Sequence, residues 1–181
     1  MPSVAALRYT LSPCPLGHLM LAASPAGVCA LLLGEHPAEL ERELQQRFAG
    51  SPRQRDDQAL ADWRAAVLRQ LEQPNQPAEL PLDLHGSAFQ QRVWQALREI
   101  PSGQTRRYGE LAAQLGSHAR AVARACASNP IGLLVPCHRV IAANGGLSGY
   151  RWGLPRKAAL LASEAASRPC LAGADRSAAP H

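Results

Sequence analysis

Apolar residues in the first part of the chain come in short runs. Leu19–Ala23 and Val28–Leu33 are separated by Ser24-Pro25-Ala26-Gly27, and two such runs around a Pro- and Gly-bearing turn predict a β-hairpin within residues 7–33. The period then lengthens. Pro37 suits the first turn of a helix, and Leu40, Leu44 and Phe48 recur every four residues, predicting a helix to about Ala49. Residues Asp56 to Gln73 repeat the pattern through Leu60, Trp63, Val67, Leu68 and Leu71, behind acidic residues that favour a helix start.

Pro74-Asn75-Gln76-Pro77 breaks this helix, Leu80, Leu82 and Leu84 alternate, and a domain boundary is placed near residue 86. Beyond it the periodicity is helical almost throughout. Ser87 and Gln90 form a capping box ahead of a helix buried through Phe89, Val93, Leu97 and Ile100 and ended by Pro101 and Gly103. Tyr108 to Leu115 predicts a short helix, Gly116-Ser117 a turn with Ser117 as the next N-cap, and His118 to Ser128 a further helix. Helix, tight turn, helix is a DNA-binding arrangement. The last of these helices interleaves Ala119, Ala121, Ala123, Ala125 and Ala127 with Arg120, Val122, Arg124 and Cys126. Small side chains let another surface approach closely, either a neighbouring helix or nucleic acid, and two arginines one turn apart tilt the balance toward DNA. Residues 167–181 are aperiodic and rich in Ala, Ser and Gly, and are expected to form a disordered tail with Cys170 exposed.

Composition narrows the class. With 46% apolar and 18% charged residues in 181, the chain describes one large or two small globular domains. No stretch approaches the roughly 18 apolar residues of a membrane span, and the N-terminus lacks the regions of a signal peptide, so a cytoplasmic protein with no membrane partner is expected. The five cysteines are scattered and form no C-x-x-C pair, against a disulfide framework or a metal site. No cofactor is expected. Charge is uneven: residues 1–86 hold seven Arg against ten Asp or Glu, while residues 87–168 hold eleven Arg or Lys against three Glu. The second part therefore suits a polyanion or is a solvated basic surface.

The candidate chemistry lies at Leu133-Leu134-Val135-Pro136-Cys137-His138-Arg139-Val140, an apolar run that stops at a proline and sets a cysteine beside a histidine. Thiolate is the nucleophilic form of cysteine, and histidine is the side chain best suited to take its proton near neutrality. Alone, the dipeptide equally fits a small core residue.

Its surroundings settle more. With Asn129-Pro130 before it, Ser148-Gly149-Tyr150 after it and Glu164 further on, Pro136-Cys137-His138-Arg139-Val140 resembles the O6-alkylguanine-DNA alkyltransferases, and Phe89-Gln90-Gln91-Arg92-Val93-Trp94 fits the same family. The likeness runs from about Leu7 to Glu164 and is strongest from Ser87 onward, looking most like the C-terminal repair domain of the bacterial adaptive-response protein. It implies an α+β fold: a small ribonuclease H-like α/β scaffold domain over 1–86, then a mostly helical domain over 87–166 with a winged-helix-like helix-turn-helix. It implies a monomer that binds double-stranded DNA, flips an O6-methylguanine or O4-methylthymine out of the stack, and moves the alkyl group irreversibly onto Cys137, once per molecule. His138 would be the base, through a water, and Glu164 would orient it. Tyr108 would be a phosphate-side lever and hydrogen-bond donor to N3 of the base, and Asn129 would brace the site. The helix with Ala119 and Ala121 would enter the minor groove, Arg120 replacing the flipped base and Arg124 meeting phosphate. Backbone groups of Cys137, Val140 and Arg151 would hold the guanine edge, with Tyr150, Pro136 and Trp152 shaping the pocket and Arg139 in a structural ion pair.

Two departures stand out. Arg107 replaces the usual serine before Tyr108, removing an N-cap worth about 1 kcal/mol and adding a possible phosphate contact. Arg151-Trp152 stands where some relatives have small residues, which predicts a bulkier wall. A damage-recognition protein without transfer is disfavoured by the presence of Cys137, and a transcriptional activator by the expectation that 181 residues leave no room for the extra modules. A Cys-His hydrolase is distinguished by turnover.

Overall fold

The computed structural model describes residues 5–167. The predicted tail, with Cys170, lies outside the described residues except for Ser167, which ends the last helix.

The predicted hairpin forms one side of a four-stranded sheet. β1 (Leu7–Cys14), β2 (Gly17–Ser24) and β3 (Gly27–Gly34) form an antiparallel meander, and β4 (Arg53–Arg55) joins β1 in parallel, giving the order β3-β2-β1-β4. Every residue of β3 is buried, as its unbroken apolar run requires. Helix α1 (Pro37–Arg47) lays Leu40 and Leu44 on β2 and β3. Helix α2 (Ala61–Glu72) packs on β1 and begins five residues later than the acidic run predicted. Asp56 instead accepts from the amide of Ala59 at 3.0 Å and closes a turn ahead of the helix.

Two segments pair with the outer edge of β3. Val28 donates to the Pro81 carbonyl at 2.8 Å and accepts from Asp83 at 2.7 Å, fixing the connector that carries Leu82. Leu31 donates to the Pro130 carbonyl at 2.9 Å and accepts from Gly132 at 3.0 Å. The approach to Cys137 is thus pinned to the most buried strand of the first part.

In the second part α3 (Ala88–Arg98) starts at the predicted capping box: Gln90 N–H donates to Ser87 Oγ at 3.1 Å, and Ser87 N–H to Gln90 Oε1 at 2.9 Å. A short parallel pair, β5 (Arg106–Arg107) and β6 (Val140–Ile141), flanks α4 (Tyr108–Leu115) and α5 (Ala119–Ala127). Gly116, at φ 66°, makes the left-handed turn between these helices. The N-cap of α5 is His118, whose Nδ1 accepts from the Ala121 amide at 3.3 Å, and not Ser117 as the sequence predicted. The Ser117 amide is used one step earlier, closing α4 against the Ala112 carbonyl. Helix α6 (Leu154–Ala166) completes the fold. The architecture is therefore a small α/β layer followed by a mostly helical, winged-helix-like part, and one contiguous apolar cluster runs through both. Among the described residues no helix is long and apolar enough to cross a membrane.

Candidate active site

Cys137 opens a single 3-10 turn, Cys137–Arg139, at the end of the segment tied to β3. That segment is held by Asn129, which is fully buried. Its amide nitrogen donates to the Val135 carbonyl at 2.9 Å and to Cys137 Sγ at 3.3 Å, and its oxygen accepts from the Ile131 amide at 2.9 Å. These bonds span Leu133, whose φ of 67° is unusual for a residue with a side chain. The sequence predicted a brace at Asn129; the structure adds that the brace touches the sulfur.

Below the sulfur lies a buried polar triad. His138 Nε2 stands 2.6 Å from Glu164 Oε1, and Arg139 donates from Nε to both carboxylate oxygens at 3.1 Å and from Nη2 to Oε1 at 2.9 Å. Arg139 also donates to the Ile100 carbonyl at 2.6 Å, so its role is the structural ion pair expected of it. Burial alone would raise the Glu164 carboxyl, but hydrogen bonds from His138 and Arg139 and their charges outweigh it and hold the pKa at about 2. Glu164 is therefore an acceptor, so Nε2 carries the imidazole proton. Burial, joined by the charges of Arg139 and Lys157, lowers the pKa of His138 despite Glu164. The ring is neutral, and its buried Nδ1 has no hydrogen-bond partner in the protein.

Burial also pushes the Cys137 thiol up to about 11, against the lowering pulls of Asn129, Lys157 and the residue's own amide. The resting sulfur is a thiol with a neutral base next to it in the chain.

Above the sulfur opens a cavity of about 530 Å³, mostly apolar, within the range that takes small-molecule groups. Tyr108, Cys137, Tyr150, Arg151 and Arg120 line it, as do Ala119, Ala123, Cys126 and Ala127 along one face of α5, with Ser148 and Gly149 of the facing loop. The opposite face of α5 is packed: Val122 and Ala125 are buried, and Trp94 Nε1 donates to the Ala125 carbonyl at 2.9 Å. The helix-packing reading of this helix thus holds on one face, and the other face is open to the cavity. The Tyr108 hydroxyl donates to the Ser148 carbonyl at 3.1 Å, and burial raises its phenol to about 12.

Several predicted residues stand away from the cavity. Trp152 is buried behind Tyr150, edge-to-face at 5.4 Å, and is not itself the bulky wall the sequence implied. Val140 is buried in β6, and Pro136 lines a different cavity with Gln70 and Arg139. Arg124 and Arg107 are exposed and Ala121 is partly so, none of them lining the cavity. Lys157 escaped prediction. It is fully buried, donates to the carbonyls of Ser148 at 3.1 Å and Gly149 at 3.2 Å, and lies 5.8 Å above the Tyr108 ring. Its only sequence signal was being the sole lysine among nineteen basic residues. Among the described residues no cluster of three His, Cys, Asp or Glu side chains is placed to hold a metal.

Comparison with known proteins places this geometry. Residues 7–84 match the family model of the 6-O-methylguanine DNA methyltransferase ribonuclease-like domain, and residues 88–166 that of its DNA binding domain. The chain is 48% identical over 162 residues to the bifunctional transcriptional activator/DNA repair enzyme Ada of Escherichia coli, covering 88% of this chain and 46% of that protein. It thus spans about half the length of that curated relative, and also of the Salmonella typhimurium regulatory protein ada. It is 41% identical over 169 residues to the methylated-DNA--protein-cysteine methyltransferase of Mycolicibacterium paratuberculosis, covering 90% of this chain and 95% of that one. Among solved structures, the Mycobacterium tuberculosis O6-methylguanine methyltransferase superposes with a TM-score of 0.71 at 36% identity, covering 93% of this chain and 99% of the other. The Mycobacterium tuberculosis OGT in complex with DNA does so with a TM-score of 0.68 at 36% identity, covering 91% and 96%.

Proposed function

The chain belongs to the 6-O-methylguanine DNA methyltransferase family, and we propose that it repairs duplex DNA by moving the alkyl group of O6-methylguanine, or of O4-methylthymine, irreversibly onto Cys137. The observation that carries this reading is the floor of the α5 cavity: a buried sulfur, bonded by Asn129, beside a neutral histidine whose outer nitrogen is held by a carboxylate.

The chemistry follows from those groups. An in-helix lesion cannot reach a buried sulfur, so the nucleotide must leave the stack, at a cost of a few kcal/mol. The exposed face of α5 with Ala119, Ala121 and Arg120 enters the minor groove, Arg120 takes the vacated place, and Arg124 and Arg107 meet phosphate. Tyr108, protonated throughout by its burial, turns from Ser148 to N3 of the flipped purine. The backbones of Cys137, Val140 and Arg151 hold the purine edge, with Tyr150 packed on it. His138 Nδ1 accepts the thiol proton, through a water, and Glu164 stabilises the imidazolium. Sulfur then forms its bond to the alkyl carbon as the carbon–O6 bond breaks. The bonding pair goes to O6, and the proton taken by His138 is replaced on the released guanine at N1. Thiol and alkylated guanine become thioether and guanine. Water does not readily displace sulfur from a simple thioether, so each molecule acts once.

We further propose that residues 1–86 serve as scaffold and 87–166 as the DNA-binding and transfer unit of a cytoplasmic monomer. The separate domain matches and the basic excess after residue 86 support that division. The test is to mix the protein with a duplex containing one O6-methylguanine and examine its peptides by mass spectrometry. One added methyl on the Cys137 peptide, lost in Cys137→Ala, is expected. An unmodified Cys137 with the lesion consumed overturns the reading.

A further inference from the structure

Helix α1 carries no residue of the cavity, yet one of its side chains reaches the cavity wall. Arg151 Nε donates to Glu43 Oε1 at 2.9 Å, its Nη2 donates to the same oxygen, and 108 residues of chain separate the two partners. The pair is sheltered, with 20% of the Arg151 and 25% of the Glu43 side chain exposed. Arg47, one turn along α1, sits 3.8 Å from the same carboxylate.

From Arg151 the contacts continue inward. Its guanidinium lies 5.5 Å above the Trp152 ring, and Trp152 meets Tyr150 edge-to-face at 71°. Gly132 also abuts the Trp152 ring, where a Cβ would come within 2.8 Å of it. Neither the Tyr150 hydroxyl nor Trp152 Nε1 has a hydrogen-bond partner in the protein. The two rings are therefore oriented by packing, and the cation over Trp152 is the part of that packing anchored from α1.

We propose that Glu43, outside the cavity, is a specificity-determining positioning residue: by holding Arg151 over Trp152 it fixes the Tyr150 wall and limits the size of the O6 substituent that reaches Cys137. The first part of the chain thereby acts on substrate choice as well as on folding. The inference rests on the alkyl-transfer reading above.

Glu41, an exposed carboxylate on the same helix, supplies the control, because it bonds neither Arg151 nor Trp152 and does not line the cavity. Rates of transfer at saturating DNA are measured with duplexes carrying O6-methylguanine or O6-benzylguanine at the same position. In Glu43→Gln, which keeps the shape and loses the charge, the benzyl-to-methyl rate ratio rises about fivefold, and in Glu41→Gln it stays within about twofold of the parent. Arg151→Met gives the same rise, and adding Glu43→Gln to it changes nothing further, as two ends of one link require. Should Glu43→Gln not fold, Arg151→Lys carries the test, since lysine keeps the charge without the two-donor contact or the planar stack. A ratio unchanged or lowered in these variants, or an equal rise in Glu41→Gln, overturns the proposal. A parent that transfers no methyl to Cys137 overturns the alkyl-transfer reading instead.

Discussion

A sulfur with 4% of its residue's surface exposed is poorly placed to hold a charge, and the groups around Cys137 moderate that penalty without cancelling it. On the proposed mechanism, activation waits for the proton to move to His138 as the substrate arrives. In the free protein, alkylation of Cys137 by iodoacetamide should climb about tenfold per pH unit through neutrality and level off only near pH 11, because only the thiolate reacts. A plateau near pH 7, measured on the Cys137 peptide, would place the thiolate in the resting state and contradict this picture. Asn129 is the second residue on which the site turns. Asn129→Ala leaves the buried Ile131 amide without its partner and the Val135 carbonyl with the Cys137 amide alone, and should cost about 1–3 kcal/mol in urea unfolding along with most of the transfer activity. A loss under about 1 kcal/mol would make the brace dispensable. Cys137, His138, Glu164 and Asn129 were legible because their spacing is a motif. Lys157 and Glu43 were not, since their contacts join parts of the chain that only the tertiary fold brings together.

The elements themselves were read from period and punctuation, and the misreadings have local causes. β4 is Arg-Gln-Arg, polar throughout, and forms only because the β1 edge offers it a ladder. The helix predicted from Asp56 starts at Ala61 because the side chains of Asp56 and Asp57 are committed elsewhere, Asp56 to a turn amide and Asp57 to Thr10 and Arg55. At α5 a histidine outcompeted a serine as N-cap, against the usual preference. Helix α4 starts at Arg107 with extended backbone and no side-chain cap. Arg107→Ser should therefore stabilise the protein by about 0.5–1 kcal/mol in denaturant and lower the salt slope of DNA binding by about one phosphate contact. An unchanged slope would remove Arg107 from the DNA interface.

At the scale of the whole molecule, β3 does what neither part could do alone. Its edge receives both the connector and the approach to the active site, so the apolar core of the first part fixes the position of the sulfur in the second. No sequence pattern announced that pairing, because isolated bridges leave no periodicity. The buried triad gives the assembled fold an acid sensitivity of definite sign. Folding lowers the Glu164 carboxyl from its ordinary 4.5 to about 2, so its contribution is complete above pH 4.5 and is lost as the pH falls toward 2. Urea midpoints between about pH 6 and 2 should fall more steeply in the parent than in Glu164→Gln, and equal slopes would mean that the triad is not coupled to folding.

The central claim, one alkyl group accepted once by one sulfur, is tested most directly by titration. Protein of known concentration is incubated with an excess of duplex bearing isotopically labelled O6-methylguanine until transfer stops, and protein-bound label is counted. The account predicts a plateau at one methyl per molecule, all of it on Cys137. Label released to solution, lesions consumed beyond one per molecule, or label on Cys126 would contradict it.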